Sequence, residues 1–222
     1  MGLILFIVTL AATLGIQFWL KRTYSRWSKV QNTSGLTGAQ TARAILDANG
    51  LSNVQVEAVP GQLSDHYDPR ARVVRLSQDN FDRASVAGSA VAAHEVGHAI
   101  QHARAYAPLQ WRSTLVPVAS IGSNFGPILV VAGALLNFAG LWQIGLVLFA
   151  AAVVFQLVTL PVEFDASRRA LVQMESLGIA TTGDIGGSRQ VLNAAAMTYV
   201  AAAASSVAYL LYYLSMFMGG DE

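Results

Sequence analysis

The sequence contains no cysteine and few charged residues. Without cysteine among 222 residues, disulfide bonds, thiolate metal sites and cysteine nucleophiles are excluded, so any metal ion must be held by His, Asp or Glu. Charged residues make up 12% of the chain, about half of the roughly 25% that soluble domains carry. A net charge of +1 gives no general attraction to nucleic acid. An ordinary soluble enzyme and a nucleic-acid-binding domain are therefore excluded.

Apolar residues make up 54% of the chain, and the mean hydropathy is +0.45. They are concentrated in four stretches, at residues 3–20, 114–138, 141–160 and 194–218. Crossing the hydrocarbon core of a membrane takes about 20 mostly apolar residues, so each stretch is a predicted transmembrane helix. The two middle stretches follow each other so closely that we expect a helical hairpin. Basic residues follow the first stretch directly instead of preceding it, which indicates a retained anchor and not a cleaved signal peptide.

The basic residues predict how the chain is oriented in the membrane. All but three of the 14 Lys and Arg residues lie between residues 21 and 113, and the other three lie in 161–193. The turn of the hairpin carries none, and the C-terminal tail is acidic. By the positive-inside rule, both polar segments are expected in the cytoplasm and both termini outside.

The first polar segment has patterns of both helix and strand. Residues 38–49 have the apolar spacing of a helix, and residues 54–59 and 72–76 are predicted strands. Residues 65–69, between those strands, have the composition of a turn. Residues 84–106 are a predicted helix, and this helix carries the main motif.

That motif is HExxH, formed by His94, Glu95 and His98. Residues four apart share one face of a helix, so both imidazoles can bind one ion. Zinc is the expected cofactor, because it accepts imidazole nitrogen and activates a water molecule at neutral pH. Glu95 is then the predicted general base, which takes the proton of the water and passes it to the leaving amine. Burying these polar groups in an Ala-rich helix without a metal would be costly.

A catalytic zinc site needs a third protein ligand. Without cysteine, the candidates are His66, His102, Glu163 and Asp165. Glu163 is the predicted ligand because it directly follows the third apolar stretch, on the expected cytoplasmic side. Pro161 just before it predicts the start of a short helix at the membrane surface, and Asp165 is expected beside the ligands. His102 is two turns beyond His94, too far for a tetrahedral set, and is expected beside the ligands or at the rim of the site.

Substrate binding is predicted around the two short strands. Either strand could offer an edge along which an extended peptide pairs its backbone. His66 or Tyr67, between the strands, is a candidate for binding substrate or stabilising the oxyanion. An ordinary turn histidine is the alternative for His66.

At these residues the sequence resembles the YugP-type membrane zinc metallopeptidases. The resemblance runs along most of the chain and is carried by residues 37–46, 63–69, 74–77, 93–101, 161–167 and 191–200. The family is similar in plan to membrane proteases of the heat-shock and CAAX-processing type. Those proteases carry HExxH on one helix and the Glu of an E-x-x-x-D pattern on a later one. The resemblance implies a gluzincin-like protease with Glu163 as third ligand, although Ser167 stands where that pattern has Asp.

The expected fold is a mainly α integral membrane protein with about four transmembrane helices and a cytoplasmic α+β, zincin-like protease domain. It is expected as a multi-pass protein of the plasma (inner) membrane, with a zinc-dependent endopeptidase site on the cytoplasmic side. The expected partners are a protein or peptide substrate, the bilayer and a membrane-protein complex, but not nucleic acid. The predicted segments are an anchor (1–20), a protease segment (21–113), a hairpin (114–160), a segment with the third ligand (161–193) and a last transmembrane helix (194–218).

Two other functions remain open. In an intramembrane protease of the site-2 type, residues 84–103 would be a fifth span, although their many polar groups are costly in lipid. In a membrane scaffold or assembly subunit, the metal would be structural or vestigial. The small residues at 201–206 would then pack against another membrane helix.

Overall fold

The computed structural model describes residues 2–218, and within them the chain is mainly helical with one small sheet. The helices and strands of this part of the chain are α1 (Gly2–Trp27), α2 (Gly38–Ala48), β1 (Gln55–Val59), β2 (His66–Asp68), β3 (Val73–Ser77), α3 (Gln78–Asp82), α4 (Val86–Ala103), α5 (Ala107–Leu135), α6 (Ala139–Ser176) and α7 (Thr182–Met218).

Four of these helices, α1, α5, α6 and α7, are long and apolar enough to cross a membrane. This confirms the prediction of a mainly helical protein with four candidate spans. Among residues 2–218, α4 does not belong to this set. Fourteen of its 18 residues are buried, so α4 is a core helix packed against protein.

The chain forms two compact units. Residues 17–106 and 162–197 form one of them, which contains the HExxH helix and the sheet. Residues 2–16, 107–161 and 198–218 belong to the other, which contains most of the apolar helical length. We call these the site unit and the helical unit. The segment boundaries predicted from the sequence stay predictions.

The core of the site unit lies between α2, α4 and the sheet. The side chain of Thr37 and that of Gln40 close a capping box at the start of α2, which satisfies backbone N–H groups that a helix start leaves free. Ile45 and Leu46 on α2 are fully buried, as is Val96 on α4. Burying each such side chain stabilises a fold by about 1.5–3 kcal/mol.

The sheet has the order β1-β3-β2, with β1 parallel and β2 antiparallel to β3. The predicted turn at 65–69 is therefore wrong, because residues 66–68 pair with β3 as a short strand. Ladder hydrogen bonds to β3 outweigh the turn preference of the Asp and Pro residues around them. β3 is central, so of the two predicted strands only β1 has an edge that a peptide could pair with.

In the helical unit, α5 and α6 pack closely at glycines. A Cβ atom at Gly145 would lie 2.6 Å from the backbone nitrogen of Val130, and one at Gly133 would lie 2.5 Å from that of Trp142. Only glycine permits backbones this close. The contacts support the predicted hairpin.

Helix α6 runs without a break from Ala139 to Ser176 and includes Pro161. The predicted start of a separate helix at Pro161 is therefore wrong. Proline removes one backbone hydrogen bond, but the helical turns on both sides keep the chain helical through it. As a result, Glu163 lies within a long helix and not in its first turn.

Candidate metal centre

Helices α4 and α6 bring three predicted ligands together. His94, His98 and Glu163 each offer one ligand atom, and these atoms lie within 4.8 Å of one another. The Nε2 atom of His94 is 3.3 Å from Oε2 of Glu163, and the Nε2 atom of His98 is 3.7 Å from the same oxygen. The two imidazole rings meet edge to face, with their centroids 4.8 Å apart. One nitrogen of each ring therefore faces a single carboxylate oxygen.

The close approach of the two helices depends on Gly97, inside the motif. A Cβ atom at this position would lie 2.6 Å from the carbonyl oxygen of Ala166 on α6. Ala166 is itself small and fully buried. Because Glu163 precedes Ala166 by about one helical turn, this contact places the Glu163 carboxylate against the two imidazoles.

Each histidine has a hydrogen-bond partner at its other ring nitrogen. Nδ1 of His94 is 3.1 Å from Oγ of Ser167, and Nδ1 of His98 is 3.0 Å from Oε1 of Gln101. The amide nitrogen of Gln101 donates to the carbonyl of Val162 at 2.8 Å, so its oxygen is left to accept from His98. When Nδ1 of His98 donates to Gln101, Nε2 of the same ring is the atom that faces Glu163 and is available to a cation.

This arrangement fits a zinc ion. Metal-binding histidines usually donate their second ring N–H to a fixed acceptor, which sets the tautomer and the ring orientation. Glu163 is only 3% exposed, and a carboxylate buried this deeply needs a positive partner. Two imidazole nitrogens and one carboxylate oxygen are one of the donor sets found in catalytic zinc sites.

The electrostatics of the site point the same way. Burial lowers the pKa of the His98 imidazole, but the hydrogen bond with Glu163 and the negative charges of Glu95 and Glu163 outweigh it. The pKa of His98 is therefore raised above its usual value. A site that favours a proton between these groups also favours a metal cation.

Glu95 lies on α4, three residues before His98, and is 9% exposed. Residues three apart are neighbours on a helix surface, and the charge of Glu95 acts on the His98 imidazole. Its carboxylate is therefore placed next to the ligand group.

Asp165 is connected to the ligands through Gln101. Its carboxylate accepts hydrogen bonds from the Gln101 amide at 3.0 Å and from the guanidinium groups of Arg168 and Arg169. It is 7% exposed. A chain of hydrogen bonds thus runs from His98 through Gln101 to Asp165 and the two arginines.

The remaining predicted residues lie elsewhere in the site unit. The hydroxyl of Tyr67 is 2.9 Å from Nδ1 of His102, and their rings are 5.9 Å apart. His102 follows His98 by one helical turn. The exposed ring of His66 lies 2.9 Å from the carbonyl of Ser64, and its other nitrogen is 3.5 Å from the Arg75 guanidinium.

The contacts of Gln101 and Ser167 with the two histidines were not predicted. Gln101 follows His98 by three residues, and Ser167 follows Glu163 by four, so helical spacing alone could have placed both near the ligands. Ser167 stands where an E-x-x-x-D pattern has Asp, and its hydroxyl makes a hydrogen bond with His94.

A family model described as "Putative neutral zinc metallopeptidase" matches residues 2–218. The chain belongs to this family. A relative from Bacillus subtilis (strain 168), described as "Putative membrane protease YugP", is 47% identical over 222 residues. The match covers 98% of this chain and 99% of that protein. No solved structure matches the chain.

Membership of the zinc metallopeptidase family confirms the resemblance and zinc as the cofactor. His94, His98 and Glu163 form a group that could bind the ion. A peptidase family implies a protein substrate, and four candidate membrane helices imply a lipid bilayer.

Proposed function

We propose that this chain is a membrane-anchored zinc endopeptidase that cleaves membrane proteins or proteins near the membrane. The observation that carries the proposal is the convergence of His94, His98 and Glu163, with Glu95 next to them on α4. A structural zinc site needs no general base, so the presence of Glu95 favours catalysis.

Each residue of the site has a proposed role. His94 and His98 would hold the ion through Nε2, and Glu163 would hold it through a carboxylate oxygen. Bound zinc supplies a Lewis acid, which polarises the substrate carbonyl and makes water more acidic.

Glu95 accepts the proton of the attacking water and transfers it to the leaving amine nitrogen. Its burial reduces competition from bulk water. Gln101 accepts from Nδ1 of His98 and so keeps Nε2 of that ring free, and Ser167 orients the His94 ring through its contact with Nδ1. An oxyanion role for Tyr67 or His66 stays a prediction.

An extended substrate is proposed to pair along β2. Among the described strands, β2 has a partner on one side, β3. Its Tyr67 side chain contacts His102 on α4, so this strand runs close to the helix that carries the motif. Strand addition would bind the peptide through backbone hydrogen bonds, independently of its side chains.

The test of the mechanism compares Glu95→Gln with wild type in purified, detergent-solubilised protein. Both proteins should bind one zinc ion, and the variant should cleave an unfolded carboxymethylated protein at least about 100-fold more slowly. Glu175→Gln, an exposed position on α6, is the matched control and should behave as wild type. Equal cleavage by Glu95→Gln and wild type would show that the mechanism is wrong.

The cytoplasmic position of the site rests on the distribution of basic residues and is tested by labelling. Because the chain has no cysteine, single cysteines can be placed at the exposed positions Arg70, Ser176 and Leu136. A membrane-impermeant thiol reagent should label Leu136→Cys in intact cells. It should label Arg70→Cys and Ser176→Cys only after permeabilisation. Labelling of Arg70→Cys in intact cells would place the site outside.

The same experiments distinguish the two other functions from the proposed one. Zinc binding without cleavage by wild type would favour the scaffold with a structural metal. Labels at Arg70 and Ser176 on opposite sides of the membrane would favour an intramembrane protease with a fifth span. Because α4 is buried within the site unit, its burial argues against a lipid-exposed fifth span.

A further inference from the structure

A cavity of about 230 Å³ lies in the site unit beside the HExxH helix. Its lining residues are Leu51, Asn53, Val54, Tyr67, Arg72, Ala99, His102 and Ala103. Val54 and Ala99 are buried and apolar, whereas Arg72 and His102 are exposed. The cavity thus combines an apolar interior with a polar rim, and its volume holds one amino-acid side chain.

The cavity lies further along α4 than Glu95, the proposed general base. Glu95, Ala99 and His102 are spaced i, i+4 and i+7, so they share one face of the helix. The helix rises 1.5 Å per residue, which puts His102 about 6 Å further along the axis than His98. An extended peptide advances about 3.4 Å per residue. A substrate side chain one or two residues from the cleaved bond can therefore reach the cavity.

The rim of the cavity offers hydrogen-bond donors and positive charge. The hydrogen bond between Tyr67 and His102 uses one of the O–H and N–H groups of this pair. Whichever atom donates in that bond, one N–H or O–H remains for a ligand. Arg72 adds a guanidinium group, whose charge acts on the Tyr67 hydroxyl.

No carboxylate belongs to the described lining of the cavity. The acidic group that acts on Tyr67 is Asp68, and its effect there is smaller than that of Arg72. The Asp68 carboxylate is 2.9 Å from the Arg75 guanidinium, which also lies 3.4 Å from Glu57. The charge of Arg72 therefore dominates at the rim and favours an anionic ligand.

We propose that this cavity is a specificity subsite for an acidic substrate side chain, preferably glutamate, within two residues of the cleaved bond. The methylene groups of glutamate contact Val54 and Ala99. Its carboxylate accepts hydrogen bonds from Arg72 and from the Tyr67–His102 pair. The inference rests on the proposed peptidase function and adds the substrate preference of the same site.

The test uses sets of peptides in which one position carries Glu, Gln, Leu or Lys. Four such sets place this position at each of the two residues on either side of the cleaved bond. At one of these positions, wild type should cleave the Glu peptide about fivefold faster in kcat/KM than the Gln peptide, as expected for a partly exposed ion pair. Arg72→Gln should remove the preference, and Arg72→Glu should turn it towards Lys. Arg70→Gln, an exposed arginine outside the lining, is the matched control.

A binding measurement separates failure of the subsite from failure of the proposed function. Fluorescence anisotropy of the labelled Glu and Gln peptides on Glu95→Gln protein should show the same Arg72-dependent difference without cleavage. Cleavage by wild type with no acidic preference at any position would overturn the subsite alone. Tighter binding of the Glu peptide, with no cleavage of any peptide by wild type, would keep the acidic pocket and overturn the peptidase function. Equal binding of both peptides would overturn the pocket.

Discussion

Helix α6 makes two close contacts with other helices, and in each of them a glycine of the other helix lies against the α6 backbone. In the site unit, Gly97 of α4 packs onto the carbonyl oxygen of Ala166. In the helical unit, Gly122 of α5 packs onto the carbonyl of Leu148 in the same way. At both places an added Cβ atom would overlap the backbone of α6.

The surroundings of the two contacts differ. Beside Gly97 lie imidazole, carboxylate, amide and hydroxyl groups, and each ring nitrogen described there has a partner. Beside Gly122 the neighbouring side chain is the methyl group of Ala152. Close backbone approach therefore produces a chemical site only where the flanking helix positions carry ligands. In the helical unit the same approach contributes packing alone. Zinc affinity is the measurement that distinguishes the two contacts.

The largest loss of zinc affinity is expected from Glu163→Gln. The substitution keeps the shape of the side chain but removes the charged oxygen that faces both imidazoles. We expect the purified variant to lose its stoichiometric zinc, measured by elemental analysis after gel filtration. Glu175→Gln on the same helix should retain one ion per chain. A fully loaded Glu163→Gln protein would show that Glu163 is not a ligand.

Gly97→Ala should have the next largest effect. The new methyl group would lie 2.6 Å from the Ala166 carbonyl oxygen and would push α4 away from α6. Overpacking of this kind costs up to ~3 kcal/mol, which corresponds to about 100-fold in zinc affinity, measured by competition with a chelating dye. Gly186→Ala, where an added Cβ meets open space, serves as control. Unchanged affinity in Gly97→Ala would mean that the helices can separate without disturbing the ligands.

Gln101→Leu should weaken zinc binding by about 10- to 100-fold, the usual effect of losing an outer partner of a ligand histidine. Leucine is similar in size but cannot accept the His98 Nδ1–H or donate to Asp165. The same dye competition measures the effect, with the exposed Gln55→Leu as control. Wild-type affinity in Gln101→Leu would indicate that packing alone orients His98.

Gly122→Ala should leave zinc affinity within about twofold of wild type. Its effect should appear instead in thermal unfolding in detergent, as a fall in Tm of about 3–10 °C from overpacking. Loss of zinc in Gly122→Ala would contradict the distinction between the two contacts, because packing in the helical unit would then control the site.

The helices and strands whose apolar residues recur at a regular spacing, or form a long run, were predictable from the sequence. The amphipathic helix α2, the strands β1 and β3 and the four long apolar helices follow from spacing and composition alone. The HExxH spacing predicted two ligands, and position along the chain favoured Glu163 over Asp165 as the third. Those predictions needed only the local geometry of one helix or strand at a time.

The remaining features depend on contacts between distant segments. Residues 66–68 form a strand only because β3 is present to pair with them, and a turn-like composition does not reveal that partner. Pro161 is a common first residue of a helix, yet here α6 continues through it. Spacing on α4 is enough to place Gln101 beside His98, but the contact of Ser167 with His94 becomes identifiable only when the distance between α4 and α6 is known.

The position of Glu163 late in the sequence determines when the site can form during synthesis. His94 and His98 are made first, and Glu163 follows roughly 65 residues after His98, beyond α5 and the apolar half of α6. At about 5–20 residues per second, the ribosome needs several seconds to reach it. During that interval the nascent chain holds an incomplete ligand set. The three candidate ligands are therefore all present only after α5 and the apolar half of α6 have been translated.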